Sequence, residues 1–347
     1  MDPAEPLLSV RQLSTRFEND SMAGAGTAPA GLDAVSFDVP RGAIVGLVGD
    51  SGSGKSLTAL SILGLLPPAA HILGGQVLFE GRDLLAASEA ERRAVRGRGI
   101  AMIFQEPATA LSPVHSVGWQ LAMALRAGGQ LRPLGLLESM RRAGRAPALE
   151  LLSRVELPEP ERLLDLYPHQ LSAGMRRRVM IAMALACRPS LLIADEPTTG
   201  LDAPIQAQIL DLLGRLVAGS PGCSVIFITH DLCVAAEVAS EIVVLYAGQV
   251  VEAGPTRSVL GRPQHPYTIG LLQNIPDHGA ASPPSQRVRG ASPERGCRFA
   301  EHCPQRRSDP DRFLRCAAES PLLEPADARH RSRCFYPRLT GPDGAGP

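Results

Sequence analysis

The sequence predicts an α/β fold, and three observations indicate it. A short apolar run leads into a glycine-rich stretch and then into a helix-like segment, which is the order strand, glycine loop, helix. A second apolar run ends in two carboxylates, and two further apolar runs have the length of buried strands. Buried strands combined with helices are typical of α/β domains. These features lie at 43–48, 49–56 and 57–63, at 191–196, and at 100–104 and 224–230.

The glycine loop has the spacing Gly49-x-x-x-x-Gly54-Lys55-Ser56. Its glycines allow successive backbone N–H groups to surround a phosphate, and the following helix adds about half a positive charge at its N-terminus. Lys55 is suited to reach the β- and γ-phosphates, and Ser56 is suited to ligate Mg²⁺. We therefore expect a nucleotide site, with a chance match in a glycine-rich turn as the alternative. The residues expected to contact the nucleotide here are Gly49, Asp50, Ser51, Gly52, Ser53, Gly54, Lys55, Ser56 and Leu57.

The acidic pair Asp195-Glu196 follows the buried-strand pattern over 191–194. Asp195 is suited to hold Mg²⁺ through water, and Glu196 is suited to orient or deprotonate an attacking water. The glycine loop alone does not identify a reaction, because kinases, GTPases and motor ATPases share it. The remaining motifs must therefore decide between these classes.

Four further motifs follow in a fixed order along the chain. They are Gln105 after an apolar run, Leu171-Ser-Ala-Gly-Met175 at the start of a helix, Gly200-Leu-Asp202, and His230 at the end of another apolar run. Together with the glycine loop and the acidic pair, this set resembles the nucleotide-binding domains of ABC transporters. The resemblance implies a P-loop fold with a RecA-like core, an antiparallel β subdomain and an inserted helical subdomain. A P-loop kinase or GTPase is not expected to carry the glycine-containing motif before its acidic strand.

The resemblance also implies a chemistry for these residues. Glu196, His230 and Gln105 would take part in ATP hydrolysis. Mg²⁺ would be held by Ser56, Gln105 and Asp195, and Gln105 would link the metal and the attacking water to the helical subdomain. The enzyme class implied is an ATPase whose hydrolysis is coupled to transport.

The motif at 171–175, the signature, implies a site shared between two subunits. In ABC domains the residues that correspond to Ser172, Gly174 and Asp202 face the ATP of a second subunit, so a head-to-tail dimer is expected. Ser172 also has the position of a helix N-cap, which is the structural alternative. The usual Leu-Ser-Gly-Gly-Gln is replaced here by Leu-Ser-Ala-Gly-Met, and Ala173 adds a Cβ where backbone approaches a phosphate. If Ala173 weakens nucleotide binding, we expect the effect at the site built on the partner subunit's glycine loop.

Two weaker signals leave alternatives open. Phe17 ends a predicted strand, where ABC domains commonly place an aromatic ring against adenine, and an ordinary core phenylalanine is the alternative. Three arginines at 176–178 predict a solvated or locally paired helix face, with a nucleic-acid patch as the alternative.

The chain is expected to divide into an ABC domain over 1–273, with its helical subdomain over about 106–170, and a C-terminal region. That region comprises a linker over 274–296, a four-cysteine segment over 297–337 and a disordered tail over 338–347. Periodicity predicts strands over 7–17, 32–39 and 74–81, and helices over 89–98, 117–127, 136–145, 148–155 and 175–185.

Composition limits the function classes. Of 347 residues, 44% are hydrophobic and 20% charged, which fits a packed soluble protein. Lysine plus arginine and aspartate plus glutamate both number 35, and this balance argues against a general nucleic-acid binder. The N-terminal residues lack a signal-peptide pattern, and no apolar run approaches the roughly 18 to 20 residues of a membrane-spanning helix. We therefore expect a cytoplasmic protein that associates with membranes through partner subunits.

Three local strings narrow the resemblance. They are 103–114, 180–189 and the motif His265-Pro-Tyr-Thr268 with Leu271-Leu272. They look like the ATP-binding subunits of dipeptide, oligopeptide and nickel importers, and this resemblance covers about 7–337.

That branch implies a set of partners. These are two transmembrane permease subunits, a second ABC ATPase subunit expected to be a different chain, and indirectly an extracytoplasmic solute-binding protein. The chain would then lie at the cytoplasmic face of the membrane, and no nucleic-acid partner is expected. The alternatives are a non-transport ABC ATPase that acts on nucleic acid or ribosomes, and a redox or iron sensor.

Four cysteines lie close together near the C-terminal end: Cys297, Cys303, Cys316 and Cys334. A reduced compartment disfavours disulfides, and a metal site could replace the core that so short a segment cannot build. Structural zinc sites usually have cysteines in closely spaced pairs, whereas these four are separately spaced, which suits a [4Fe–4S] cluster better. The cluster, Zn²⁺ and free thiols all stay open. His302, beside Cys303, could substitute as a ligand, but a solvated histidine is the favoured interpretation. The segment also resembles the C-terminal extension of the importer branch.

Overall fold

The structure is a computed structural model, and it describes residues 5–18, 31–105, 110–131, 144–219, 223–273, 295–304, 310–326 and 329–337. These residues form two compact units. The first contains the described parts of Met1–Leu7, Pro40–Ala43 and Ala86–Ile228. The second contains the described parts of Leu8–Val39, Ile44–Leu85 and Thr229–Pro347.

Strands and helices occur along the whole described chain, and they alternate one by one between residues 173 and 246. The strands are β1 (Leu8–Phe17), β2 (Val35–Val39), β3 (Ile44–Val48), β4 (Ala70–Phe79), β5 (Arg82–Asp83), β6 (Ile100–Ile103), β7 (Leu191–Asp195), β8 (Ser224–Thr229), β9 (Glu241–Tyr246), β10 (Gln249–Pro255), β11 (Glu324–Pro325) and β12 (Arg331–Ser332). The helices are α1 (Lys55–Leu63), α2 (Glu89–Val95), α3 (Val117–Ala127), α4 (Arg145–Arg154), α5 (Pro160–Leu163), α6 (Ala173–Leu185), α7 (Ala203–Gly219), α8 (Leu232–Val238), α9 (Thr256–Gly261), α10 (Pro266–Gln273) and α11 (Pro310–Ala318). Short 3₁₀ turns occupy Pro168–Gln170 and Ala300–His302.

In the first unit, β6, β7 and β8 are parallel and β7 lies in the middle. Every residue of β7 and β8 is buried, which explains why both strands are continuous apolar runs without alternation. Parallel pairing brings the carboxyl ends of the strands to one edge of the sheet. Gln105 follows β6 and Glu196 follows β7, so the topology places both at this edge.

Helices α3, α4 and α6 pack against one another in the first unit, and α6 also packs on β6. These helices carry fully buried leucines and valines, among them Leu121, Leu125, Leu152 and Val179. Ser116 caps α3 by accepting a hydrogen bond from Trp119 N–H at 3.3 Å. Helix α3 has the predicted bounds, α4 begins three residues before the predicted start, and most of the helix predicted over 136–145 lies outside the described residues.

The second unit contains an antiparallel sheet in the order β2-β1-β4-β5. Val10 pairs with Phe37 on β2 and with Val77 on β4, and all three side chains are buried. Strand β4 starts at Ala70, earlier than predicted, where it pairs with Phe17 at the end of β1. The antiparallel β subdomain is therefore present.

A second, mixed sheet in the same unit has the order β11-β12-β10-β9-β3. Strand β9 is parallel to β3 and forms a hairpin with β10, and α8 packs on β3. The short strand β12 pairs with β10 through Glu252 and Ser332, so the cysteine segment contributes two strands to this sheet. Most of the predicted linker, 274–294, and the predicted tail, 338–347, lie outside the described residues.

Glu252 joins the C-terminal segment to the sheet. Its carboxylate is fully buried and accepts hydrogen bonds from the N–H groups of Gln264 and His265, both at 2.8 Å, and lies 2.7 Å from His330 Nε2. A buried carboxylate requires partners of this kind, because an unpaired charge inside a protein is costly.

Within the described ranges, no helix is long and apolar enough to cross a bilayer.

Candidate functional site

The glycine loop connects β3 to α1 in the second unit, in the predicted order. Gly49 and Gly54 both have positive φ, at 156° and 107°. A Cβ on Gly49 would collide with the Leu245 carbonyl oxygen, and one on Gly54 would lie 2.7 Å from Leu32 Cδ2. Only glycine fits these positions, because the backbone conformation and the close approach both exclude a side chain.

Polar groups of the loop point inward. Lys55 is 5% exposed, and its Nζ donates to the carbonyl oxygens of Gly49 at 2.6 Å and Asp50 at 2.9 Å. The Ser53 hydroxyl is buried and has no hydrogen-bond partner among the described residues. Ser56 and Leu57 lie half-buried in the first turn of α1, while Ser51 and Gly52 are exposed. An ammonium, a spare buried hydroxyl and a helix N-terminus suit a phosphate, and the Ser56 hydroxyl is a hard oxygen donor suited to Mg²⁺.

The acidic pair lies in the first unit at the end of β7. Asp195 is 4% exposed, and Glu196 has a φ of 45°, a left-handed conformation that costs a residue other than glycine about 1–3 kcal/mol. The Glu196 N–H donates to the Ile228 carbonyl at 3.0 Å. Its Oε2 accepts hydrogen bonds from Thr199 Oγ1 at 2.9 Å and from Gln105 Nε2 at 3.2 Å. The structure thus brings two of the predicted catalytic side chains, Gln105 and Glu196, into direct contact.

Arg177 was not predicted to belong to this site. The expectation of a solvated face at 176–178 is wrong for Arg177 and Arg178, which are 3% and 7% exposed, whereas local pairing is correct. Arg177 donates to the carbonyl oxygens of Phe104 at 3.0 Å and Gln105 at 2.9 Å. Burial lowers the pKa of Arg177, and the nearby carboxylates of Glu196 and Asp195 offset part of that effect. Helix α6 therefore holds the backbone of the Gln105 loop directly.

The signature and the 200–202 loop line one pocket of about 450 Å³ in the first unit. Ser172 is the N-cap of α6 and accepts from Met175 N–H at 3.2 Å, which confirms its capping position. A Cβ on Gly174 would lie 3.1 Å from Ile205 Cγ2, whereas Ala173 is exposed and its methyl group is accommodated. The structure thus places Ser172, Gly174 and Asp202 around one cavity.

His230 and Phe17 both lie in the second unit. His230 is exposed on the turn between β8 and α8, and the next residue, Asp231, caps α8 by accepting from Cys233 N–H at 2.8 Å and Val234 N–H at 3.2 Å. This cap fixes the backbone that carries the histidine. Phe17 is half-buried opposite Ala70, a position compatible with either predicted role.

The four cysteines are half-buried neighbours in the second unit. The Cys297 N–H donates to the Cys316 carbonyl at 2.7 Å. Burial raises the pKa of Cys297 to about 11 and that of Cys334 to about 12, and the other thiols contribute to both increases. In the part of the chain that the structure describes, however, no three His, Cys, Asp or Glu side chains are arranged to hold a metal ion. The expected metal site is therefore not supported, and His302 is half-buried rather than solvated.

Comparison with known proteins gives two family matches. Residues 32–199 match the ABC transporter family, and residues 251–309 match the family described as "Oligopeptide/dipeptide transporter, C-terminal region". The chain is 45% identical over 339 residues to a probable peptide ABC transporter ATP-binding protein, y4tR, of Sinorhizobium fredii, covering 96% of this chain and 95% of the relative. It is 42% identical over 339 residues to the dipeptide transport ATP-binding protein DppD of Escherichia coli, covering 95% and 97%.

Solved structures agree with these matches. The dimeric ATP-binding cassette MJ0796, in a post-hydrolysis state bound to ADP and Pi, aligns with a TM-score of 0.60 at 28% identity. The alignment covers 72% of this chain and 99% of that one. The predicted P-loop ABC fold and ATPase class are confirmed. The chain therefore belongs to the ABC transporter family, among the ATP-binding proteins that carry the oligopeptide/dipeptide C-terminal region.

Proposed function

We propose that this chain is the ATP-hydrolysing subunit of an ABC importer for peptides. The observation that carries the proposal is the extent of the similarity to peptide-transport ATP-binding proteins, which covers 95–96% of the chain and includes a matching C-terminal region. Similarity confined to the ATPase region would support ATP hydrolysis alone. We infer the peptide substrate and the partner subunits from this similarity, because the chain's own residues do not select the substrate.

The glycine loop would bind the nucleotide. Backbone N–H groups of the glycine loop, the buried Ser53 hydroxyl and the N-terminus of α1 would surround the β-phosphate. Lys55 would exchange the carbonyl oxygens of Gly49 and Asp50 for phosphate oxygens. Phe17 would stack on the adenine. Mg²⁺, when bound, neutralises charge on the β- and γ-phosphates, and Ser56, Gln105 and Asp195 supply oxygen donors suited to it.

Hydrolysis would depend on the carboxylate of Glu196. Gln105 and Thr199 hold its Oε2, and Arg177 holds the backbone of Gln105, so the carboxylate is oriented before substrate arrives. Glu196 would accept a proton from the attacking water as that water adds to the γ-phosphorus and the ADP oxygen leaves. His230 would orient that water together with Glu196.

This chain and a second ATPase subunit would act together. Ser172, Gly174 and Asp202 would close on the nucleotide held by the second subunit's glycine loop, so each ATP would join two chains. Closure would be passed by the helical subdomain over about 106–170 to two transmembrane permease subunits, and hydrolysis would reopen the dimer. The chain would lie on the cytoplasmic face of the membrane, and an extracytoplasmic binding protein would deliver the peptide.

Affinity capture tests the assembly. The tagged chain is purified from detergent-solubilised membranes, and co-purifying chains are identified by mass. We expect two multi-span membrane proteins and a second P-loop subunit. Recovery of ribosomal or DNA-bound proteins without membrane subunits would instead support a non-transport ABC ATPase and overturn the importer proposal.

We also propose that Cys297, Cys303, Cys316 and Cys334 bind a soft metal group, a [4Fe–4S] cluster or alternatively Zn²⁺. The proposal rests on the donor chemistry of four neighbouring thiols and not on their described arrangement, which forms no ligand set. Iron, zinc and acid-labile sulfide are measured in protein purified without oxygen. Colourless protein that contains neither iron nor zinc would contradict the proposal.

A further inference from the structure

Tyr267 connects the glycine loop to the cysteine segment. We propose that Tyr267 is a positioning residue for the glycine loop, and that Phe299 of the cysteine segment holds Tyr267 in place, so that this segment tunes nucleotide affinity. The proposal rests on the nucleotide role of the glycine loop and is independent of peptide import. All the residues that carry it lie in the second unit.

The Tyr267 hydroxyl makes two hydrogen bonds to the second residue of the loop. It accepts from the Asp50 backbone N–H at 2.8 Å and donates to the Asp50 carboxylate Oδ2 at 2.9 Å. The carbonyl of the same residue accepts from Lys55 Nζ at 2.9 Å. Tyr267 therefore fixes the backbone of Asp50 inside the loop that is expected to surround the phosphates, beside the lysine that is expected to bind them.

The Tyr267 ring is itself held rigidly. It is 5% exposed at the start of α10, and its backbone N–H donates to His265 Nδ1 at 3.1 Å. The centroid of the Tyr267 ring lies 4.7 Å from that of Tyr246 and 5.7 Å from that of Phe299. The rings of Phe299 and Tyr246 pack edge to face, with their centroids 5.2 Å apart. Burial raises the pKa of Tyr267, so its hydroxyl keeps the proton that it donates to Asp50. Edge-to-face packing of this kind fixes ring position.

Arg298, next to Phe299, provides a second connection from the cysteine segment to the glycine loop. Arg298 donates to the Ala247 carbonyl and, at 2.7 Å, to Asp33 Oδ2. The next residue of that turn, Gly248, donates its N–H to the Ser53 carbonyl of the glycine loop at 2.9 Å. Cys297, Arg298 and Phe299 are consecutive, so a change in the cysteine segment acts on two residues that support the loop.

Removing one hydroxyl tests the proposal, and the chain offers a matched control. Tyr267→Phe keeps the ring and removes both hydrogen bonds to Asp50. Tyr246→Phe removes the hydroxyl of the adjacent ring, which is buried without a hydrogen-bond partner among the described residues. The full-length chain is titrated with a fluorescent ribose-modified ATP analogue and Mg²⁺, and melting temperatures are recorded for both variants.

We expect Tyr267→Phe to raise the Kd for the analogue about tenfold, since one of the lost bonds is to a charged group. We expect Tyr246→Phe to change it by less than about twofold. In hydrolysis assays the KM for ATP should rise while kcat is retained, which a general loss of folded protein would not produce. An unchanged Kd in Tyr267→Phe, or equal changes in the two variants, would overturn the role of Tyr267.

Phe299→Leu tests the link to the cysteine segment. We expect the Kd to rise about threefold, because the Tyr267 ring loses its aromatic neighbour but the hydroxyl remains. The rise should disappear in the Tyr267→Phe background, because the affected contact is already absent. Equal effects of Phe299→Leu in both backgrounds would show that the segment acts elsewhere.

Discussion

Glu196 has a strained backbone at the point where its side chain is most closely held. Its φ of 45° follows directly on a fully buried strand, and its carboxylate accepts from Thr199 and Gln105. Strain of this kind persists only when surrounding contacts determine it. The contacts that hold the Glu196 carboxylate therefore offset the strain of its backbone, which indicates that its position is important for function.

Arg177 supports the same site from behind, and its replacement should be costly. Arg177→Met keeps the apolar part of the side chain but leaves the carbonyl oxygens of Phe104 and Gln105 without their charged donor. We expect the free energy of unfolding to fall by about 1.5–3 kcal/mol and ATP turnover to fall as Gln105 loses its fixed position. Thermal unfolding and steady-state hydrolysis measure the two effects.

Arg215→Met is the control for that change. Arg215 is about half-exposed, and its ion pairs with Glu156 and Asp211 lie at the surface at 2.7 and 3.2 Å. Surface pairs contribute at most about 1 kcal/mol, so stability and turnover should change little. Equal losses in the two variants would refute a specific role for Arg177.

At the scale of elements, short apolar runs with clear ends were predicted well. The strand, loop and helix over 43–63 and the strands β7 and β8 match their expected positions. The start of β4 was missed, because 70–73 lacks clear alternation and is a strand only through its pairing with β1. Arg177 was missed for a related reason, since polar residues at a helix start predict exposure, and its carbonyl partners are 72 and 73 positions away in the chain.

The N-terminus of α6 allows a test of the altered signature. Ala173→Gly restores the glycine usual in ABC domains, and if this helix end faces a second subunit's phosphate, ATP turnover of the assembled dimer should rise. Stability should fall by about 0.5–1 kcal/mol, because glycine is a poorer helix former than alanine. Opposite changes in turnover and stability would separate a functional effect from a structural one.

Ala90→Gly is the matched control, since Ala90 is exposed in the first turn of α2 after the N-cap Ser88. It should lower stability by a similar amount and leave turnover unchanged. If Ala173→Gly likewise leaves turnover unchanged, or lowers it, then Ala173 does not limit the shared site.

The corner between β10 and α10 should make stability depend on pH. Burial lowers the pKa of His265 from 6.5 to about 3, so the unfolded chain binds a proton between these values that the folded chain does not. Its contribution is fully present above pH 6.5 and is lost as the pH falls, at up to about 1.4 kcal/mol per pH unit. Thermal unfolding at pH 7 and pH 5.5 should therefore show a smaller loss for His265→Asn than for the unmodified chain.

His169→Asn provides the comparison, because the His169 side chain is exposed. It should keep the pH dependence of the unmodified chain. The same loss of stability on acidification in His265→Asn would show that other groups cause the effect.

For the whole molecule, the sequence predicted the ABC architecture, which the comparisons confirm, and it assigned residues to an ATP site that stay a prediction. The motifs are local and carry their chemistry in residue type and spacing, so Gln105 and Glu196 could be assigned before their contact at 3.2 Å was known. Supports formed by distant segments are harder to predict: the motif that contains Tyr267 indicated the importer branch, but not a contact with the glycine loop 217 positions away. The metal expectation failed to gain support because cysteine spacing does not determine how thiols are arranged.

ATP hydrolysis by the membrane complex captured on the tagged chain, measured with and without a peptide-loaded binding protein, tests the catalytic site and the import function together. We predict that peptide stimulates hydrolysis, and that Glu196→Gln lowers turnover at this chain's site by about 10²–10⁴-fold while ATP binding is retained. Near-normal turnover in the Glu196→Gln complex would contradict the assignment of the catalytic base. Hydrolysis that no peptide stimulates would contradict the import function.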